Sequence, residues 1–225
     1  MPTKKESRKR ASLGFQQSPP KIVNAPIKKK FRFENSFKIC VSGAAGGKIT
    51  QAALEGAYEV GRQIAMQGAV LITGATTGVP HMAAKGNYSV GGIAVGFSPA
   101  SSALEHVKSY RLPTAYHDVI VYTGFNYAGR NLLLTRACDA IIEISGRLGT
   151  LNEFTIAFED KKLIGVLEET GGMADHIREL LKIGQRKGVN VIFDNDPTRL
   201  VTRMIQALKT DYRNKTKIKT RTEAY

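Results

Sequence analysis

The octapeptide Gly146-Arg147-Leu148-Gly149-Thr150-Leu151-Asn152-Glu153 carries the residue types that phosphate chemistry requires. It follows the apolar run from Ala140 to Ile144 and precedes the helix-like stretch from Phe154 to Glu159. A buried strand therefore ends in a glycine-rich turn from which a helix opens. The free N–H groups of a helix start point into such a turn, and the helix dipole favours an anion there. Gly146 and Gly149 let a phosphate approach the main chain, Thr150 adds a hydroxyl, and Arg147 either adds a phosphate contact or crowds the turn. Glu153 places one carboxylate a single helical turn away. A competing reading is a capping box, since Thr150-x-x-Glu153 has its spacing and both side chains could merely satisfy helix-terminal donors.

Two arginines lie upstream. Arg130 and Arg136 sit six residues apart on a helical segment, and so on different faces of it. The planar guanidinium fork suits a phosphate or a carboxylate. An arginine at the carboxyl edge of a sheet would face the phosphate turn, whereas a surface salt bridge is the plain alternative for either residue.

The rest of the chain must position these groups. Short apolar runs are expected as strands at Phe37 to Val41, Ala69 to Ile72, Gly92 to Phe97, Val119 to Tyr122, Ala140 to Ile144, Leu163 to Leu167 and Val189 to Phe193. Helical segments are expected over Ile49 to Gln67, Pro80 to Val90, Tyr127 to Ala137 and Pro197 to Leu208, and after the fifth and sixth strands. In the first helix Ala53, Ala57, Val60 and Ile64 share a face. Strand–helix alternation implies an α/β fold, a Rossmann-like doubly wound parallel sheet of about seven strands with helices on both faces. Ligands in such folds sit at the carboxyl ends of the strands. Those ends include Ser42-Gly43 and Thr73-Gly74, so Gly43 and Gly74 are candidate ligand contacts beside Ser145-Gly146. Residues 98–117 are expected as a loop or lid over the site.

The 225 residues carry a net charge of +14, unevenly placed. Residues 1–36 hold ten Lys/Arg against Glu6 and Glu34, a net of +8, and residues 209–225 hold six against Asp211 and Glu223, a net of +4. The chain is therefore divided into a basic disordered arm (1–36), an α/β domain (37–208) and a basic tail (209–225). The arms could contact nucleic acid by neutralising phosphates, or serve solubility alone. Cys40 and Cys138 both lie in apolar runs and read as buried small hydrophobes. No apolar run approaches a membrane span, and no signal-peptide apolar region is present, so a cytoplasmic location and no membrane partner are expected. No His/Cys/Asp cluster suggests a metal, and His81 and His117, near strand ends, read as incidental.

An Arg130 nine residues before Asp139-Ala140, an apolar strand, and then Gly-x-x-Gly-Thr-x-x-Glu resembles the Lonely-Guy (LOG) family, once described as lysine decarboxylase-like. That family lies within a wider group of Rossmann-like nucleotide binders that includes molybdenum-cofactor carriers and DNA-uptake processing proteins. The resemblance spans roughly residues 37–208 and is most specific over 130–153. It implies hydrolysis of the N-glycosidic bond of a nucleoside 5′-monophosphate to free base and ribose 5-phosphate. It places Arg130 and Glu153 at the catalytic positions, Arg136 at a second nucleotide-binding arginine, and Gly146, Gly149 and Thr150 at the phosphate. It also implies a homodimer with the site near the interface, no required cofactor, and a nucleotide as substrate or ligand. Two departures stand out. The family's Pro-Gly-Gly-x-Gly-Thr turn reads here Ser145-Gly146-Arg147-Leu148-Gly149-Thr150, and its triple-glycine second turn reads Thr73-Gly74-Ala75-Thr76-Thr77-Gly78-Val79-Pro80-His81. These leave two alternatives beside the hydrolase: a non-catalytic nucleotide or molybdenum-cofactor binder, and a nucleic-acid-associated protein acting through its basic arms.

Overall fold

The computed structural model describes residues 36–186 and 190–222. Seven parallel strands form one sheet in the order β4-β3-β2-β1-β5-β6-β7. They are β1 (Lys38–Gly43), β2 (Val70–Thr73), β3 (Ala94–Ser98), β4 (Val119–Tyr122), β5 (Ala140–Ile144), β6 (Leu163–Leu167) and β7 (Val191–Asp194). The helices are α1 (Gln51–Met66), α2 (Val79–Ser89), α3 (Ala103–Lys108), α4 (Asn126–Ala137), α5 (Leu148–Glu159), α6 (Ile177–Ile183) and α7 (Pro197–Thr222). The chain builds outward from β1 to one edge, crosses back to β5 beside β1, and builds to the other edge. The crevice opened by that reversal lies between β1 and β5, where ligand sites of doubly wound sheets form.

Strand alternation decides which side chains face which layer. Ile39, Val41, Ala140, Ile142 and Ile144 join the core formed with Ala53, Ala57, Val60 and Ile64 of α1 and Leu200 and Met204 of α7. Cys40, Ser42, Ile141 and Glu143 consequently point to the opposite face, where α4 and α5 pack together against the sheet. Both cysteines are buried and free, as their apolar neighbours imply.

The expected elements are present with small shifts at their ends. Two differences have physical causes. Residues 98–117 are not a plain loop. Ser102 caps α3 by accepting from the Glu105 N–H at 3.2 Å, an N-cap pattern of Ser followed by an acidic N3 residue. The final helix does not stop at Leu208 but runs on to Thr222 through residues with neither Gly nor Pro. Core contact ends at Leu208, since residues 209–212 are exposed, but the helix does not end with it. The seventh strand lies at Val191–Asp194; the Val189 proposed to begin it, like the arm 1–35 and its nucleic-acid reading, lies outside the described residues. Among the described residues no helix is long and apolar enough to cross a membrane.

α1 and α2 meet through two glycines. A Cβ on Gly61 would come within 1.9 Å of the Ala83 carbonyl oxygen, and one on Gly86 within 1.9 Å of the Tyr58 carbonyl oxygen. This close approach sets the separation of the helices that follow β1 and β2. Gly61→Ala is therefore expected to destabilise the chain by about 3 kcal/mol despite alanine's better helix propensity. Urea unfolding followed by circular dichroism checks this; an unchanged or raised midpoint would show that the helices can part without cost.

Candidate functional site

At the carboxyl edge of β1, β2 and β5 lies a cleft of about 490 Å³. Its walls are the turn after β1, the turn after β2, the starts of α4 and α5, and Tyr110 to Leu112. Arg130, Glu153, Gly43, Gly74, Arg147, Gly149 and Thr150 all line it. Residues distant in sequence thus converge on one crevice.

Glu153 forms the floor, with 6 % of its surface exposed. Ser42 Oγ donates to Glu153 Oε2. Arg130 Nη1 donates to Oε1 at 3.4 Å as a buried ion pair. With its carboxamide nitrogen turned toward the carboxylate, Asn131 donates to Oε1 at 2.8 Å and to the Tyr127 carbonyl at 2.9 Å. Burial pushes the Glu153 carboxyl above the usual carboxylate range, and the opposing pull comes first from Arg130 and then from Ser42. Carboxyls shifted in this way by burial and a specific partner cluster at functional sites.

Arg130 is 5 % exposed, and its Nε is buried without a hydrogen-bond partner. A Cβ on Gly74 would sit 2.1 Å from Arg130 Nη1, so only glycine leaves room for the guanidinium at the end of β2. The glycine after β1 is also required, since a Cβ on Gly43 would meet the Ile144 carbonyl oxygen at 2.4 Å.

The capping-box reading of Thr150 and Glu153 does not hold. α5 begins at Leu148 with Arg147 at the N-cap, and no side chain caps it. Its first backbone bond runs from Leu151 N to Arg147 O at 3.0 Å. Gly149 and Thr150 therefore belong to the first turn, whose N–H groups have no intrahelical partner and no side-chain cap, and both residues line the cleft. Gly146 has φ +92° and turns the chain behind Thr150, where a Cβ would lie 2.4 Å from Thr150 Oγ1; it does not line the cleft. The Arg147 guanidinium reaches across to Gly47 in the turn after β1.

Arg136 is not brought to the cleft. It lies exposed on α4, paired with Asp160 at 3.0 Å, the surface salt bridge that was its plain alternative. His117 is bonded to Thr73 Oγ1 at 2.7 Å, and burial lowers its pKa to about 4, so it is neutral at pH 7. His81 stacks on Tyr116, with ring centroids 5.2 Å apart. Neither histidine lines the cleft. Among the described residues no group of His, Cys, Asp and Glu is placed to hold a metal ion.

Several lining residues escape a reading of short motifs. Ser42 and Asn131 hold the carboxylate but belong to no recognisable spacing. Tyr110 meets Tyr127 edge-on at 5.7 Å and donates to Asn126 Oδ1 at 2.5 Å, giving the cleft an aromatic wall. Arg111, at φ +54°, sits beside it. Only the adjacency of Asn131 to Arg130 could have hinted at its role.

A seven-stranded doubly wound sheet with this cleft at its crossover defines a Rossmann-like α/β protein. The chain belongs to the SLOG cluster4 family, whose pattern matches residues 36–201. An uncharacterized protein of Archaeoglobus fulgidus is 34 % identical over 112 residues, half of this chain and 68 % of that protein. Among solved structures, the protein TM1055 superposes with a TM-score of 0.65 at 25 % identity, over 76 % of this chain and 99 % of its own. The molybdenum cofactor binding protein of Rippkaea orientalis superposes with a TM-score of 0.65 at 24 % identity, over 77 % of this chain and 97 % of its own. The expected LOG-like architecture is thereby borne out.

Arg130→Ala leaves Glu153 buried without its cation. At neutral pH this is expected to destabilise the fold by about 3 kcal/mol. The folded-state pKa of Glu153 would then lie still further above its unfolded value, so the deficit should shrink as pH falls and the carboxyl takes up a proton. Urea unfolding of both proteins across pH 5 to 8 measures this; a deficit independent of pH would mean that the pair contributes no net charge compensation.

Proposed function

We propose that the cleft binds a nucleoside 5′-monophosphate and hydrolyses its N-glycosidic bond. The observation that carries this reading is the buried Glu153 carboxylate, held by Arg130 and Ser42 on the floor of a cleft rimmed by a helix N-terminus. The 5′-phosphate would sit on the Gly149 and Thr150 N–H groups, with Arg147 as its counter-ion. That anchor places the ribose over the floor. Cleavage passes through an oxocarbenium-like state, which Glu153 stabilises electrostatically while it takes a proton from the attacking water; as the new C1′–O bond forms and the C1′–N bond breaks, that proton passes on to the departing base and the carboxylate is restored. Arg130 keeps the carboxylate in place. Tyr110 and Tyr127 offer π-faces to the base. The products are the free base and ribose 5-phosphate, with no cofactor needed.

A second reading is retention without turnover, as a nucleotide or molybdenum-cofactor binder. It is favoured by the likeness to the cofactor-binding protein of Rippkaea orientalis and by the cation at Arg147 in the phosphate turn. Incubation with a panel of nucleoside 5′-monophosphates, with free base detected by chromatography, separates the two. Wild-type protein is expected to release base from at least one nucleotide, and Glu153→Gln to lower that rate at least a hundredfold or so. Release at an equal rate by Glu153→Gln would remove Glu153 from the mechanism. No release, together with a co-purifying ligand, would favour the binder.

The homodimer is part of the proposal. Leu132, Leu133 and Leu148 are exposed on α4 and α5 beside the cleft and offer an apolar contact. Light scattering is expected to give a mass near twice the 24.5 kDa of the chain. A monomer mass at micromolar concentration would count against a site completed at an interface.

A further inference from the structure

Beneath Glu153 lies a second carboxyl that the proposed chemistry does not use. Glu143 interrupts the apolar run of β5 and has 0 % of its surface exposed. Neither of its carboxyl oxygens has a hydrogen-bond partner among the described residues. Strand register sets Glu143 directly opposite Ser42, and alternation points both toward α4 and α5. Ser42 has one proton, and it is committed to Glu153 Oε2. A hydroxyl that donates still has lone pairs with which to accept.

The groups facing Glu143 offer it no counter-charge. Glu153 approaches from α5, Ser42 and Cys40 from β1, and Cys138 from the end of α4. The nearby cation, Arg130, is bonded to Glu153. An ionised Glu143 would be desolvated, unpaired and next to a like charge.

We propose that Glu143 is held as the neutral carboxylic acid and donates its proton to Ser42 Oγ, so that Ser42 in turn donates to Glu153. The chain of three side chains then has one direction and one negative charge, which resides on Glu153. Glu143 does not reach the cleft; it is a positioning residue that fixes the Ser42 hydroxyl and, through it, the working carboxylate. The inference rests on the reading of Glu153 as that carboxylate. Burial, followed by the charge of Glu153, pushes the Glu143 carboxyl well above the ordinary glutamate range. The folded chain therefore holds a proton that the unfolded chain releases above about pH 4.3. Stability should fall as pH rises from there toward the folded-state value, and Glu143→Gln should remove that component.

The test uses infrared spectroscopy of the full chain at neutral pH, in wild type, Glu143→Gln and Glu153→Gln. The carbonyl stretch of a neutral carboxylic acid is expected in wild type and in Glu153→Gln, and not in Glu143→Gln. Its absence from wild type, or its persistence in Glu143→Gln, overturns the proposal. Should Glu143→Gln fail to fold, wild type and Glu153→Gln still decide, since the band must be present in both. Base release supplies the positioning readout. Glu143→Leu is expected to lower kcat roughly five- to tenfold with KM little changed, the effect of losing one hydrogen bond, and Glu143→Gln, which keeps a donor, to recover it. Equal losses in the two variants would reject the positioning role. If wild type releases no base, the hydrolase reading fails, while the infrared result still decides the protonation of Glu143.

Discussion

The site depends on one constraint: a carboxylate held almost out of water must be given a cation and donors, or it will not stay charged. Glu153 is that carboxylate, and much of the local architecture follows from its needs. Arg130 must lie beside it, which requires a glycine at the end of β2 because any side chain at Gly74 would occupy the guanidinium's place. Ser42 must point toward α5, which the alternation of β1 ensures. Asn131 must follow Arg130 so that the start of α4 serves both carboxylate and guanidinium. A change at any of these positions acts on the charge of Glu153 before it acts on a ligand.

The sheet supplies the second requirement, a crevice at which these elements meet. β1 and β5 are neighbours in space and far apart in sequence, so their following segments diverge and leave a gap over the carboxyl edge. Gly61 and Gly86 allow α1 and α2, the helices after β1 and β2, to approach closely.

Much of this was legible in the residues. Apolar runs and glycine-terminated strands indicate the parallel sheet because strands covered on both faces cannot alternate polar and apolar residues. The family resemblance over residues 130–153 implied that Arg130 and Glu153 share a site, and the structure joins them as an ion pair at 3.4 Å. The start of α5 was harder, because Thr150-x-x-Glu153 satisfies a capping pattern while the actual helix begins at Leu148. Arg136 was misleading for a related reason: spacing along a helix gives its face but not its neighbours, and Asp160 lies in reach from α5's end. Ser42 could be read only as a strand end, since its role depends on which strand lies next to β1. Glu143 was visible as a charged letter in an apolar run, but its lack of partners is a property of three dimensions.

Arg147 adds a further electrostatic argument. The first turn of α5 contains no acidic residue, and the N-cap position is an arginine. A cation at a helix N-terminus opposes the dipole instead of compensating it. This positive side chain and the positive helix end reinforce one another, close to the glycines of the turn after β1. The arrangement is unfavourable by itself and favourable once an anion lies between them, because the anion then interacts with both. Glu153 cannot serve as that anion, since Ser42 and Arg130 already hold its carboxylate on the floor. The rim of the cleft thus has the electrostatics of an anion site, while the floor beneath it holds a carboxylate whose charge is already met by the protein.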